Sequence, residues 1–444
     1  MKSKLCDDKN RNIYIGNFNC EDIWNKDNTI KLPTLDLKEV RSVIYNLEEL
    51  IIYLANPEDI VILRNLPNQD FVKQLKTLGI EIPKIVTPYA NDMNKSISEL
   101  VLNDTQLLCL LKNYVNNNLK ENKKTNLVPY GATEYENKIA EIISAQITSN
   151  YLICSRLNNK LLLNFYAKQM NINFPETVIC HGVYDLKCKG RIFLEKFKKV
   201  IVKEVYSSGG SGLVIIDCIE KLDQICKYID GIFSARGTIV LQRWYDSLLS
   251  YNHQYIIMDD CIIPHCFSKQ VIVYQNGKIM GSVFNDIDRS GKELWKRLYK
   301  MSYVLLEKIR ETGYRGVVGF DSIFSQQENV FFPVIDINCR INLSTIFWEI
   351  ISKYFHSRHS YFICREYVLS HPVAFKTIQS LMGDNEYSKK TKEGIVILNF
   401  ASLNYNILNA KSKYGRIFYG IFANTQSRLK ELQSFVISDA MTIL

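Results

Sequence analysis

The sequence lacks the patterns that mark a membrane protein, a secreted protein or a zinc ribbon. It has no run of 18 apolar residues and no positively charged leader before an apolar segment, so we expect a cytoplasmic protein without a membrane partner. Twelve cysteines include no Cys-x-x-Cys pair. The set His253, Cys261, His265 and Cys266 is too irregularly spaced for a zinc site. We therefore interpret the cysteines as reduced thiols, mostly small core residues.

Two common nucleotide-binding patterns are also missing. The glycine-ended strand at 13–17 has no Gly-x-Gly-x-x-Gly sequence, so we interpret Gly16 as a packing residue, and no Walker sequence occurs anywhere. The net charge of +9 comes from lysines spread along the chain, which indicates solubility rather than a nucleic-acid partner. A chain of 444 residues, 47% of them apolar, is long enough for two or three domains.

The first part of the chain alternates strand and helix patterns. Apolar strands at 13–17, 59–63 and 84–87 are predicted, and a helical pattern through Phe71, Leu75 and Leu78 separates the second from the third. This order predicts a parallel α/β sheet within residues 1–125.

Two lysines stand where an anion would stabilise them. Lys160 is at the start of a predicted helix, where its charge opposes the helix dipole. Lys203 lies in an apolar strand that leads into a loop and then a second strand. The small residues of the loop are Ser208, Gly209, Gly210, Ser211 and Gly212. Because glycines let backbone N–H groups approach a phosphate, we predict a phosphate-binding loop, with a flexible hairpin as the alternative.

The next strand ends in polar and aromatic side chains. They are Gln242, Arg243, Trp244 and Tyr245. Such an end can hold a flat base or belong to an ordinary core, and composition does not decide between the two. Antiparallel strands at 254–258 and 268–272 are predicted to follow, with Asn276-Gly277 as a hairpin turn, and then a helix at 292–311.

Carboxylate and amide side chains alternate with apolar residues between 316 and 345. The segment reads as two strands joined by a polar turn, with Asp321 in the first strand and Asp336, Asn338 and Arg340 in the second. Residues i, i+2 and i+4 of a strand share a face, so the last three should project together and the hairpin should bring Asp321 beside them. These oxygen ligands suit Mg²⁺, and a neighbouring arginine can stabilise developing charge.

The remaining residues show no catalytic motif. We predict a strand at 395–400, a turn containing Gly415, a strand at 418–422 and a helix at 429–435. Three histidines have no nucleophile to pair with and are interpreted as structural. They are His356, His359 and His371.

Five segments, in order, resemble those of the ATP-grasp superfamily over roughly residues 130–350. They are Asn159-Lys160, Val202-Lys203 with the Ser208 to Gly212 loop, Leu241 to Tyr245, Gly319 to Asp321, and Ile335 to Arg340. The N-terminal unit is similar to a pre-ATP-grasp domain, and the chain most resembles the pheganomycin-type peptide ligases. The resemblance implies an α/β (α+β) ATP-grasp fold. The implied domains are 1–125, 126–355 with a lid at about 185–245 and a metal-binding core at about 246–355, and a C-terminal extension, 356–444.

The resemblance also implies roles for individual residues. Lys160 and Lys203 would contact ATP phosphates, the Ser208 to Gly212 loop would close over them, and Gln242 to Tyr245 would hold adenine. Asp321, Asp336 and Asn338 would be magnesium ligands, and Arg340 would stabilise the transferred phosphoryl group. Candidates for contacting the γ-phosphate or the acceptor carboxylate are Ser268, Lys269 and Gln270. The chain departs from the family pattern in having Asp336 and Gln242 in place of glutamate and Cys339 in place of proline.

The function implied by the resemblance is an ADP-forming carboxylate–amine ligase that makes a peptide or amide bond through an acyl phosphate, in natural-product or specialised peptide biosynthesis. It implies ATP and two Mg²⁺ ions, with Mn²⁺ as an alternative. Expected partners are a small carboxylate and an amine, either amino acids or peptides. An acidic carrier protein and a homodimer are further expectations. An ATP-grasp kinase that phosphorylates a hydroxyl and an inactive ATP-binding protein remain alternatives.

Overall fold

Three β-sheets organise the chain in the computed structural model. The structure describes residues 10–25, 30–33, 43–90, 92, 94–207, 212–232, 237–246, 248–273, 278–285, 289–409, 413–438 and 441. Within these ranges no helix is both long and apolar enough to cross a membrane.

The first sheet is parallel, with the order β3-β2-β1-β4-β5. Its strands are β1 (Arg11–Ile15), β2 (Ile60–Ile62), β3 (Lys84–Val86), β4 (Thr125–Pro129) and β5 (Gln146–Ile147). The helices of this domain are α1 (Cys20–Trp24), α2 (Gln69–Thr77), α3 (Ile97–Leu102), α4 (Thr105–Lys120) and α5 (Glu134–Ile143). The predicted parallel sheet is confirmed, and it continues beyond residue 125 through β4 and β5. A Cβ on Gly16 would lie 2.7 Å from the Cβ of Glu48, so this glycine allows close packing.

The second sheet is antiparallel and forms what we call the lid subdomain. Its order is β6-β9-β7-β8. The strands are β6 (Thr177–His181), β7 (Val200–Glu204), β8 (Leu213–Ile216) and β9 (Thr238–Arg243). Helices α6 (Tyr151–Leu157) and α7 (Lys160–Gln169) precede it, and α8 (Gly182–Phe197) and α9 (Ile219–Ile232) belong to it. The strand-loop-strand pattern is therefore present, but Ser208, Gly209, Gly210 and Ser211 lie outside the described residues.

A short N-terminal segment attaches the first domain to the lid subdomain. Ile30 and Leu32 are buried in the apolar core of that subdomain. The Leu32 backbone N–H donates to Glu204 Oε1 at 2.8 Å, and Lys31 Nζ lies 3.3 Å from Glu204 Oε2. Since Glu204 directly follows Lys203 on β7, the segment contacts the strand that carries this lysine.

The third sheet has eight strands in the order β14-β13-β10-β11-β12-β15-β17-β16. The strands are β10 (Leu248–Ile257), β11 (Ile262–Val273), β12 (Lys278–Asn285), β13 (Gly316–Ser325), β14 (Val330–Asn338), β15 (His359–Val368), β16 (Gly394–Asn399) and β17 (Tyr414–Ala423). The helices are α10 (Arg289–Glu311), α11 (Leu343–Ile350) with a π-helical turn at Ile351–Phe355, α12 (Phe375–Met382), α13 (Ala401–Asn409) and α14 (Gln426–Ile437).

The pairing of β12 with β15 makes the C-terminal extension a continuation of the core sheet. The turn predicted at Gly415 is wrong, because this residue lies within β17. The predicted Asn276-Gly277 turn falls outside the described residues.

A buried 3₁₀ helix, Asn46–Tyr53, packs the first domain on the extension, and Tyr53 Oη donates to the Leu398 carbonyl at 3.1 Å.

Candidate active site

The β13–β14 hairpin places two carboxylates opposite each other. Asp321 and Asp336 are direct cross-strand partners, and Gly319 pairs with Asn338 two residues along the ladder. Alternation along each strand directs Phe320 and Ile337 into the core and turns the carboxylates to the other face. The hairpin therefore brings Asp321, Asp336 and Asn338 together.

Asp321 is held by amide donors. The Asn252 and Gln270 side chains donate to its Oδ1 at 2.8 and 3.0 Å, and the Asn338 amide nitrogen lies 3.5 Å from its Oδ2. Burial, and then the negative charge of Asp336, raise the pKa of Asp321 to about 6. Two facing carboxylates thus share a partly desolvated site, an arrangement that a cation would stabilise.

Lys160 approaches the carboxylates from the start of α7. Asn159 caps this helix by accepting a hydrogen bond from the Leu161 N–H. The lysine Nζ lies 3.3 Å from Asp336 Oδ1 and donates to the Ser207 carbonyl at 3.0 Å. The helix dipole disfavours a cation at a helix start, and the negative charge of Asp336 offsets this repulsion of Lys160. Through its bond to Ser207, the lysine also connects the core to the segment after β7.

Lys203 reaches the same place from β7 of the lid subdomain. Its Nζ donates to Gln242 Oε1 at 2.7 Å, and Gln242 in turn donates to Thr177 Oγ1 at 2.8 Å. Burial lowers the pKa of Lys203 to about 8; the charge of Lys160 adds to this effect, and the charges of Asp336 and Asp321 oppose it. The free site therefore holds two mutually repelling lysines beside two mutually repelling carboxylates.

Arg340 is buried, and all its N–H groups have acceptors. Nε donates to Glu21 Oε1 at 2.6 Å, and Nη2 lies 2.5 Å from the same oxygen. Nη2 also donates to Asn338 Oδ1 at 2.9 Å. Nη1 donates to Tyr130 Oη and the Ile341 carbonyl, both at 3.0 Å. Contact with a phosphoryl group would require Arg340 to exchange one of these partners.

The predicted adenine segment lies at the junction of the lid subdomain with the core. The Arg243 guanidinium makes two hydrogen bonds of 2.7 and 2.6 Å to the Glu328 carboxylate, in the β13–β14 turn. Tyr245 Oη donates to Glu176 Oε2 at 2.6 Å, and Trp244 Nε1 donates to Asp246 Oδ1 at 2.9 Å. These three side chains hold the hinge together, whereas Gln242 alone of the four contacts a predicted phosphate lysine.

The three candidates on β11 separate onto two faces of the strand. Gln270 bonds Asp321, and Ser268 is buried with its hydroxyl 3.3 Å from that of Ser344. Lys269, between them, is exposed. Because neighbouring side chains of a strand point to opposite faces, Lys269 is directed away from Asp321, and its placement in the site is corrected.

Sequence reasoning missed three residues of this site: Glu21, Tyr130 and Asn252. Glu21 and Tyr130 come from α1 and the end of β4 and reach Arg340 only through the packing of the first domain on the core. Asn252 lies opposite Asp321 on β10. Its regular alternation with Ser250 and Gln254 was a usable signal, because polar residues repeating every two positions mark one face of a strand.

The residues at the hairpin suit Mg²⁺. Asp321 and Asp336 supply two carboxylates, and Asn338 Oδ1 has a second lone pair beside its bond from Arg340. Mg²⁺ is usually held by one or two carboxylates and completes its shell with water and nucleotide phosphates. Among the described residues no group of three or more His, Cys, Asp or Glu side chains could hold a metal ion.

Two family models match consecutive parts of the chain. The pre ATP-grasp domain matches residues 48–144 and the ATP-grasp domain matches residues 157–344, together more than half of the sequence. The chain belongs to the ATP-grasp superfamily. This places it among ATP-dependent ligases that join carboxylates to amines.

Similar proteins agree with this membership. A curated protein of Niallia circulans, [butirosin acyl-carrier protein]–L-glutamate ligase, is 22% identical over 321 residues, which cover 70% of this chain and 68% of that protein. The biotin carboxylase domain of Hydrogenobacter thermophilus 2-oxoglutarate carboxylase, in complex with MgADP, aligns with a TM-score of 0.53 at 12% identity over 97% of this chain and 90% of that one. Staphylococcus aureus N5-carboxyaminoimidazole synthetase with ADP aligns with a TM-score of 0.52 at 10% identity over 98% and 100%. The two structures show the shared ATP-grasp fold.

Proposed function

We propose that this ATP-grasp protein forms a peptide or amide bond through an acyl phosphate, in natural-product or specialised peptide biosynthesis. The observation that carries the proposal is the convergence of Lys160 and Lys203, from two different subdomains, on the opposed pair Asp321 and Asp336. Two cations for phosphate oxygens and two carboxylates for a metal are the groups that phosphoryl transfer from ATP requires.

A carboxylate must be activated before an amine can attack it, because it lacks a good leaving group. Direct attack by an amine would have to expel oxide, so a carboxylate oxygen first attacks the γ-phosphorus of ATP and the bond to ADP breaks. The amine then attacks the acyl carbon of the acyl phosphate. Inorganic phosphate leaves with the bonding electron pair, and the amine loses one proton as the C–N bond forms.

The protein's own groups support each stage. Lys160 and Lys203 hold the phosphate oxygens and offset their negative charge. Binding of an anion favours the protonated form of Lys203, whose pKa burial lowers in the free protein. The β7–β8 hairpin covers the phosphates, and excluding water there prevents hydrolysis of the acyl phosphate.

Asp321, Asp336 and Asn338 are the proposed magnesium ligands, and the proposed site binds two magnesium ions. When bound, the metal neutralises charge on the phosphate oxygens. Asp336 is one methylene shorter than the family's glutamate, and its ion pair with Lys160 supports a role for this carboxylate at the phosphates.

The proposed substrates are an amino acid and an amine carried by a peptide or a carrier protein. The name of the Niallia circulans relative, which pairs L-glutamate with an acyl-carrier protein, supports this choice. The basic net charge of +9 is compatible with an acidic carrier.

The test is an ADP-release screen of carboxylates in the presence of hydroxylamine, the smallest amine that captures an acyl phosphate as a stable hydroxamate. We expect carboxylate-dependent release of ADP and phosphate, with the hydroxamate detected by mass spectrometry. Asp336→Ala should abolish this activity while circular dichroism stays unchanged, and Asp259→Ala, at a side chain that is 92% exposed, is the matched control. A phosphorylated product without free phosphate would instead identify a kinase.

A further inference from the structure

A cavity of about 640 Å³ lies between the first domain and the core. We call it the interdomain cavity. The end of β4, at Tyr130 and Gly131, forms one side, and the start of β13, at Gly316 and Val317, forms another. The π-helical turn after α11 contributes a third side through Lys353. Cavities of roughly 300–1,000 Å³ enclose ligands well above the size of a free amino acid.

Arg340 connects this cavity to the candidate active site. Its side chain lines the cavity, and its Nη2 donates to Asn338 beside Asp321 and Asp336. Among the described residues that line the cavity, none is a predicted phosphate lysine or an aspartate of the hairpin. The cavity therefore approaches the metal-binding strand from the side of the first domain.

Of the four charged residues that line the cavity in the described part of the chain, Arg340, Glu349 and Lys353 are engaged with other protein groups, and Glu81 is exposed at the edge. Arg340 pairs with Glu21, while Lys353 Nζ lies 3.7 Å from Glu349 and donates to the Leu54 carbonyl at 2.9 Å. The other described residues of the wall are uncharged, and they combine tyrosine rings, hydroxyls and glycine backbone with aliphatic side chains such as Leu54, Val128 and Ile341. Such a surface suits an uncharged body with amide groups and apolar segments better than a compact zwitterion.

We propose that the interdomain cavity binds the amine substrate and that this acceptor is an extended, amide-containing molecule of at least tripeptide size. The proposal rests on the ligase function proposed above. The donor carboxylate must meet the γ-phosphate near Lys160 and Lys203, so that side is taken by ATP and the donor. The amine attacks the acyl carbon from a different direction than the departing phosphate, and the cavity reaches that point at Arg340.

The first experiment compares amines of increasing length with the carboxylate identified by the hydroxylamine screen. Glycinamide, glycylglycinamide and triglycinamide present the same reacting group. We expect kcat/KM to rise at least about tenfold from the first to the third, because each added unit gains contacts within the cavity. Equal or higher kcat/KM for glycinamide would overturn the proposal.

The second experiment narrows the cavity from two separate segments. Thr148 and Glu81 line it and are exposed at its edge, so Thr148→Trp and Glu81→Trp place a large side chain there with little effect on the core. Gln146→Trp is the matched control, because Gln146 is exposed on β5 two residues from Thr148 and does not line the cavity.

The readout is the ratio of triglycinamide turnover to hydroxylamine turnover. We expect this ratio to fall at least about tenfold in both cavity variants and to stay unchanged in the control. A proportional loss with both amines, or a rise in the KM of the carboxylate instead of the amine, would contradict the assignment. Absence of hydroxamate in the wild-type protein would refute the ligase function itself, so the two failures are distinguishable.

Discussion

The carboxylate of Asp321 should destabilise the metal-free protein, and replacing it should therefore stabilise the fold while removing activity. Asp321→Asn keeps an oxygen that can accept the bonds from Asn252 and Gln270 and removes only the charge. Burial and the charge of Asp336 raise the pKa of Asp321 to about 6, from an ordinary value of about 3.9. This rise of about two in the pKa of Asp321 lowers the free energy of unfolding by at most about 3 kcal/mol when the carboxyl group is ionised.

The sign of the pH dependence follows from this shift. Because the folded state binds the proton more tightly than the unfolded state, the cost is fully present above pH 6 and disappears as the pH falls toward about 4. The Asp321→Asn variant should thus exceed the wild type in stability at pH 7.5 and lose much of that advantage at pH 5. Added Mg²⁺ with ADP should stabilise the wild type more than the variant, because the ions favour the ionised carboxylate.

Urea unfolding at both pH values, in EDTA and in Mg²⁺ with ADP, measures these differences. Asp259→Asn is the control: its side chain is 92% exposed and its ion pair with Arg315 lies at the surface, so the free energy of unfolding should change by less than about 1 kcal/mol. The reasoning about Asp321 is refuted if its asparagine variant is less stable than the wild type in EDTA at pH 7.5, or if the difference does not depend on pH.

Three further predictions concern the cations of the site. Since burial lowers the pKa of Lys203 to about 8, the Kd for ADP should increase as the pH rises through 8. Lys203→Arg should remove that dependence, and calorimetry showing the same pH profile in both proteins would exclude Lys203 as a phosphate contact. Arg340→Ala should reduce turnover on the order of a hundredfold with a smaller effect on the Kd for ATP, and unchanged turnover would remove it from the mechanism. Because the Glu21 carboxylate orients Arg340, Glu21→Gln should lower kcat about tenfold without changing the Kd for ADP. Glu21→Asp, which keeps the charge, should recover part of the lost kcat. Equal kcat in the wild type and both variants would show that Glu21 does not position Arg340.

The hairpin was predictable because its information is local. Alternation within 316–345 fixed which side chains share a face, and the observed pairing of Asp321 with Asp336 agrees with it. Helix α10 was predictable for the same reason, and the parallel N-terminal sheet followed from the order of its strand and helix patterns. The functional roles of the hairpin residues remain predictions.

Interactions between distant segments were not predictable from the sequence. Glu21 and Arg340 are 319 positions apart, and no periodicity relates them. Gly415 was interpreted from its residue type alone, yet a Cβ there would lie 2.1 Å from the Leu403 carbonyl oxygen, so close packing of α13 on β17 accounts for this glycine. Lys269 is directed away from Asp321 for a different reason, because adjacent residues of a strand lie on opposite faces.

The N-terminal segment at Ile30 and Leu32 has a consequence for how the lid subdomain can move. That subdomain is joined to the rest of the protein through the hinge at Arg243 and also through this buried segment. Glu204 follows Lys203 on β7, so a shift of this strand relative to the segment must break the bonds from Leu32 and Lys31 to Glu204. The position of Lys203 is therefore coupled to the first domain as well as to the hinge.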